Sequence, residues 1–277
     1  ASISGNATSP KLGVLLRATP QWSVYGNYAH GFKAPNANQV NGFFENITAF
    51  YRTIPNPNLK PETSRNFELG ARGRLDGVSL DVAAFTGRYK DFIEENRQVS
   101  GAGVPGNPTT FQTVNIGNVR ISGFEIKGDV AWGRAAGGQW SSPFGYGQTR
   151  GKDTNTGRPV NSINPSRLNA GLKYDTASWT ARMDVTHRAA KKASDIDNAS
   201  AITPPATQFT TPAATTLDVS AQWRIRPDLR LNAGIYNLTD KKYWNWSDVR
   251  GLAATSTVAD AYTQPGRYLR VSLVADF

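Results

Sequence analysis

None of the 277 residues is a cysteine, a single one is methionine and only two are histidine. The first absence removes disulfides and thiolate metal ligands from any account of the fold. The scarcity of histidine leaves no nucleophile–base pair of the kind that activates a serine or a thiol. No Gly-rich loop follows a strand and opens a helix, so a phosphate cradle is missing too. Glu94-Glu95, Asp129 and Asp240 form no acid–base constellation, and an enzyme is not expected. Nor does any stretch approach the roughly 18–20 uninterrupted apolar residues of a membrane helix. There is no leader segment at Ala1 and no initiator Met, so the chain reads as mature, processed or truncated.

Charge is plentiful but diffuse. The formal net charge is +10, yet Lys and Arg are scattered along polar strand faces and loops; Lys191-Lys192 and Lys241-Lys242 are the only lysine pairs. Nucleic acid is therefore not expected as a partner. The mean hydropathy of −0.46 looks soluble, but a transmembrane β-barrel alternates apolar and polar residues and averages out as polar. That alternation is the dominant pattern here. Leu217, Val219, Ala221, Trp223 and Ile225 interleave with Asp218, Ser220, Gln222 and Arg224. Trp179, Ala181, Met183 and Val185 interleave with Thr180, Arg182, Asp184 and Thr186, and Leu269, Val271, Leu273, Ala275 and Phe277 repeat the pattern at the end of the chain. Each such segment has one apolar and one polar face.

Connections alternate in length. Tight turns are expected at Thr19-Pro20-Gln21, Asp76-Gly77, Gly133 to Gly138, Thr176-Ala177-Ser178 and Arg226-Pro227-Asp228, and long polar connections near 34–62, 93–115, 151–164, 190–213 and 240–264. Short turns at one end and long loops at the other describe an up-and-down membrane barrel, with the long loops extracellular. The count is about eleven strands, an odd number that would leave an open sheet with unpaired edges, which lipid does not tolerate. About eleven is half of the roughly 22 strands of plugged outer-membrane transporters. The expected fold is all-β: residues 1–277 as the C-terminal half of an antiparallel up-and-down transmembrane barrel, without its plug.

Three groups of residues carry a resemblance. Phe32-Lys33-Ala34-Pro35 is followed by Asn56-Pro57-Asn58-Leu59-Lys60-Pro61-Glu62-Thr63-Ser64; Val114-Asn115-Ile116-Gly117 by Gly123-Phe124-Glu125; and Asn237-Leu238-Thr239-Asp240-Lys241-Lys242-Tyr243-Trp244 by Trp246, Asp248, Arg250 and Gln264-Pro265-Gly266-Arg267. Together these resemble TonB-dependent outer-membrane receptors, and the first and third resemble the haem and haemoglobin receptor branch, with Lys33 in place of the branch's arginine. Each group also has a purely structural use: Asn and Pro are turn chemistry, Pro61 suits the start of a strand, and Gly123 and Gly128 relieve crowding or permit a bulge.

The resemblance implies TonB-energised import of haem, free or taken from a haem protein, across the bacterial outer membrane. The partners it implies are outer-membrane lipid, the N-terminal half of the receptor and the TonB complex acting through the absent plug. Haem is then cargo rather than a resident cofactor, and no metal other than its iron is expected. A ferric siderophore or another metal chelate is the alternative cargo. An axial ligand to haem iron is a His or Tyr. The branch carries a ligand histidine between its two boxes, whereas positions 36–58 here have none. Strand parity puts His30 and His187 on the apolar, outward face. Tyr51 is the leading candidate and His30 the second, with Phe43, Phe44 and Phe50 available to pack on a porphyrin and Lys33, Arg52 and Lys60 to meet its propionates.

Overall fold

In the computed structural model, residues 7–198 and 207–276 are described; Phe277, the proposed terminal barrel residue, lies outside them. Eleven strands form one antiparallel meander in the order β1 (Lys11–Arg17), β2 (Trp22–Lys33), β5 (Glu62–Leu75), β6 (Val78–Ser100), β7 (Thr109–Ala135), β8 (Gly138–Asp153), β9 (Arg167–Asp175), β10 (Trp179–Arg188), β11 (Ala214–Arg226), β12 (Leu229–Tyr236) and β13 (Tyr268–Ala275). Two further short strands, β3 (Phe44–Asn46) and β4 (Tyr51–Ile54), lie in the connection between β2 and β5. Among the described residues β1 and β13 have no second neighbour, so the sheet is open. Short helices α1 (Ala37–Asn41) and α2 (Trp246–Val249) and two 3-10 turns sit in the long connections, and among the described residues no helix is long and apolar enough to cross a membrane.

The register turns alternation into two surfaces. Met183, Val219, Ile235 and Leu269 are consecutive cross-strand partners, as are Trp179, Trp223, Leu231 and Leu273, and most of these apolar residues are exposed. The opposite face is polar. Arg72 Nε lies 2.9 Å from Asp81 Oδ2, with Lys127 Nζ at 3.9 Å on the same oxygen. Asn27 donates to Glu68 at 3.2 Å and Gln222 to Asn232 at 2.8 Å. An exposed apolar face opposite a cross-linked polar one is what lipid outside and a watery lumen inside require. Trp140, Tyr174 and Trp179 pack in series as tilted rings near the short turns, with centroids 4.6 and 4.9 Å apart, where an aromatic girdle belongs. Gly123 fits the crowding explanation: a Cβ there would collide with the Gln148 carbonyl and come within 2.7 Å of the Phe85 ring.

The five short turns fall where the sequence predicts, and all lie at one end of the sheet. One long connection differs from expectation. Residues 93–115 do not form a loop; β6 and β7 continue through most of them, leaving only 101–108 as the connection. At 23 and 27 residues these strands far exceed the roughly 9–11 needed to span a bilayer. Register shifts between Glu94 and Arg97 and between Gln98 and Ser100, with Asp91 and Asn96 at positive φ, absorb the polar residues that read as loop. The dry core follows the same asymmetry. Val40, Leu59, Ile93, Val119, Val160, Ile196, Trp246 and Val249 are buried toward the long connections, while among the described residues Tyr174 is the one core residue buried near the short turns.

Candidate functional site

Between β2 and β5, the chain builds a raised hairpin. β3 pairs with β4 in the register Phe44↔Thr53 to Asn46↔Tyr51. Asn46 Oδ1 closes the turn by accepting from the backbone N–H groups of Thr48 and Ala49, at 3.1 and 2.8 Å. Phe50 takes φ +50°, a left-handed position uncommon for a bulky residue. β4 then lies parallel to the protruding end of β7, from Tyr51↔Thr109 to Ile54↔Gln112. The Tyr51 ring is half-buried between Phe44 and Phe111, with centroids at 5.7 and 6.4 Å. Beyond it Phe43, Phe44 and Ile47 remain 64%, 53% and 77% exposed. Large apolar side chains held in water are unfavourable by about 25 cal/mol per Å².

The hairpin is held by the residues that carry the resemblance. Asn56 Nδ2 donates to the Thr113 carbonyl at 2.9 Å, and Asn56 Oδ1 accepts from Asn58 N at 3.1 Å. Asn115 Oδ1 accepts from Lys60 N at 2.8 Å, while Asn115 Nδ2 donates to the carbonyls of Lys60 and Asp91 at 3.0 and 2.7 Å. Glu62 Oε2 accepts from Ile93 N at 2.9 Å, and Leu59 is buried. Two sequence boxes that look independent therefore grip each other. On the other side α1 is capped reciprocally by Asn36 and Gln39, Gln39 donates to Glu95 at 2.6 Å, and Pro35 and Val40 are buried.

The candidate ligands do not converge. Tyr51 sits in the raised hairpin. His30 lies on the outward face of β2, opposite Arg65, with Nε2 2.8 Å from Tyr28 Oη. Through Arg65 and Arg88 its row meets β7 at Arg120, whereas Tyr51 meets β7 at Thr109. At about 3.3 Å per residue these points are roughly 35 Å apart along the strand, so Tyr51 and His30 cannot hold the same iron. Phe32 and Ala34 are exposed; Lys33 pairs across from Glu62. Arg52 is engaged with Thr110 Oγ1 at 3.0 Å, and His187 with Thr215 Oγ1 at 2.9 Å.

A second assembly escapes sequence reading. The third box folds the described parts of three connections, 154–166, 189–198 with 207–213, and 237–267, into one cap. Trp246, 2% exposed, packs with Ile196 and Val249, flanked by Phe209, Trp244 and Leu252. Its indole N–H donates to the Asn161 carbonyl at 2.6 Å, and the Asn161 amide bonds with the Asp197 backbone at 3.0 and 2.7 Å. Lys191 Nζ donates to the Ile163 carbonyl at 2.7 Å and lies 4.9 Å above the Trp246 ring. Burial pushes this ammonium down to about 8, Asp195 opposing the shift and Arg250 adding to it. Buried Asn237, at φ +49°, ties Asp218, Lys241 and Pro265 together at the foot of the cap.

With this geometry in hand, comparison with known proteins is decisive for the family. Residues 1–238 match the model of the TonB dependent receptor-like β-barrel. The chain belongs to this family. Among curated relatives of this receptor chain are the hemoglobin-haptoglobin utilization protein B of Neisseria meningitidis serogroup C, 28% identical over 94% of the chain and 36% of the relative, and a probable hemoglobin and hemoglobin-haptoglobin-binding protein of Haemophilus influenzae, 27% identical over 92% and 28%. Of solved structures, the copper transporter OprC superposes with a TM-score of 0.75 at 20% identity, over 97% of this chain and 39% of that one, which speaks for the fold alone. The ferric enterobactin receptor of Pseudomonas aeruginosa superposes at 0.68 with 26% identity, over 97% and 40%. The receptor chain thus spans about a third of the length of the curated relatives it matches. Its place is the outer membrane of a Gram-negative bacterium.

Proposed function

We propose that this chain supplies the ligand-capturing loops and half the barrel wall of a receptor that imports haem, free or delivered by a haem protein. The observation that carries this reading is the hairpin β3–β4, which leaves Phe43 before β3, Phe44 on it and Ile47 in its turn exposed, with Tyr51 against Phe44 and β4 paired to β7. A flat apolar ring system or an apolar patch on a carrier protein fits such a surface, and a phenol is a haem-iron ligand in some proteins. The relatives whose printed names include hemoglobin favour the same cargo. Tyr51 is the proposed axial ligand, with His30 the less favoured because its Nε2 already meets Tyr28 and it faces outward. Lys33 and Lys60, both exposed, are proposed to meet the propionates. Haem is cargo, the chain works as a transporter part rather than an enzyme, and energy comes from the TonB complex acting on a plug domain outside this chain.

A ferric siderophore is the second reading, favoured by the likeness to the enterobactin receptor. Titrating the full-length receptor with haemin separates the two. A shifted Soret band is expected, weakened in Tyr51→Ala and retained in His187→Ala. No spectral shift in the parent receptor would remove haem as cargo; equal losses in both variants would remove the hairpin from the site.

A further inference from the structure

Six basic side chains far apart in sequence are neighbours on the outward face of β5 to β8. The register runs His30↔Arg65, Arg65↔Arg88, Arg88↔Arg120 and Arg120↔Lys152, so a single row across five strands is imidazole or cationic. Lys90, beside Thr63 and Asn118, lies one row nearer the long connections. Arg150, beside Ser122, lies one row nearer the short turns. Along β5 the residues Glu62, Ser64 and Gly70 are buried while Thr63, Arg65, Phe67 and Leu69 are exposed, which fixes the outward sense. Arg65, Arg88, Lys90, Arg120, Arg150 and Lys152 are all exposed. None forms an ion pair with a described carboxylate; Arg120 Nε donates to Thr86 Oγ1 at 3.4 Å. The scattered charge of the sequence is, on this face, a patch.

Its height on the barrel identifies its partner. Toward the short turns the rows become apolar: Leu69, Ala84 and Phe124, then Val24, Ala71, Val82, Ile126, Tyr146 and Leu168. The basic row therefore sits where the lipid-facing band ends on the extracellular side, level with outer-leaflet headgroups. Directly opposed like charges destabilise a sheet, and at about 5 Å between partner Cα atoms four cations in a row need counter-anions. Arginine's fork matches phosphate, and each basic residue near an anionic surface adds to the attraction.

We infer that this row binds the phosphate-bearing headgroup of an outer-leaflet lipid whose acyl chains lie along the apolar rows beneath. Arg65, Arg88, Arg120 and Lys152 contact phosphate, with Lys90 and Arg150 flanking. The inference goes beyond the cargo reading and stands without it, since it needs only the barrel in its membrane.

The test uses the full-length receptor in neutral detergent, with bisphosphorylated lipid A, dephosphorylated lipid A and inorganic phosphate as probes, followed by native mass spectrometry. The parent should retain the bisphosphorylated lipid and bind the dephosphorylated form poorly. Replacing the four row residues together (Arg65→Gln, Arg88→Gln, Arg120→Gln and Lys152→Gln) should weaken retention roughly a hundredfold or more. The charge-keeping variant, with Arg65→Lys, Arg88→Lys and Arg120→Lys, should keep most of it, and heat-modifiable migration in electrophoresis reports that each variant is folded. Equal retention of both lipid forms, or unchanged retention in a folded glutamine variant, would overturn the proposal. So would competition by millimolar inorganic phosphate as effective as the lipid, which would mark a plain anion site.

Discussion

The Asn115 side chain uses both ends of its amide on other segments: it accepts from Lys60 N and donates to the Lys60 and Asp91 carbonyls. A residue of this kind acts as a clasp, since its loss leaves a backbone N–H and two carbonyls to find new partners at once. Asn115→Ala should loosen the hairpin by about 1–3 kcal/mol, read as faster amide exchange across 56–62 while exchange in β9 to β12 stays as it was. Unchanged protection at Lys60 would refute the clasp. At this scale the sequence marked Asn56 to Ser64 and Val114 to Gly117 as noteworthy, but not that they meet. Their pairing depends on the bulged register of β6 and β7, which the local pattern does not specify. Tyr51 and the phenylalanines of the same connection were legible as an aromatic-rich loop; Ile47, more exposed than Phe43 or Phe44 at 77%, carries no pattern that singles it out.

At the scale of elements, a period of two assigns each residue to a face, and the register confirms that assignment strand by strand. Neighbours on β13 make the contrast testable. Val271 is 59% exposed, opposite Ala233, whereas Ser272 faces Asn232, whose Nδ2 lies 3.4 Å from its Oγ. Val271→Arg should hinder assembly by roughly 2–4 kcal/mol near the bilayer midplane, and Ser272→Arg by much less, because only the first sends a cation into lipid. Urea unfolding of the full-length receptor in lipid bilayers measures both, and equal costs would mean the faces are misassigned. The strands β6 and β7 were less legible. Glu94-Glu95-Asn96-Arg97 and the Gly, Asn and Pro residues around 101–108 are loop chemistry locally. Residues 101–108 stay a connection, but 94–97 are drawn into β6, where Glu94 pairs with Val114 and meets Arg97 at 2.9 Å, and β4 pairs alongside the start of β7.

Among the described residues the sheet is open, and β1 and β13 have no second neighbour. In lipid, no water is available for their N–H and C=O groups, and an exposed edge recruits other strands. Refolded alone into detergent micelles, the chain should therefore form oligomers rather than a monomeric barrel, and co-refolding with the remainder of the receptor should convert it to a single heat-modifiable species. Light scattering coupled to size exclusion decides the matter: a stable monomer from the chain alone would mean that β1 and β13 close on each other. The cap formed by the long connections also belongs to this scale. Trp246 joins Asn161 from a connection 85 positions away, and no short-range pattern encodes that contact.

Alternation and turn spacing are written in consecutive residues, so the number of meander strands, their two faces and the end that carries the long loops followed from the sequence alone. The composition boxes likewise sufficed for the family. What required the folded chain were relations across strands, since these depend on register: the clasp between Lys60 and Asn115, the separation of His30 from Tyr51, and the basic row from Arg65 to Lys152. A shift of one residue in a strand moves every side chain to the opposite face, and only hydrogen bonding across the whole sheet chooses among the alternatives.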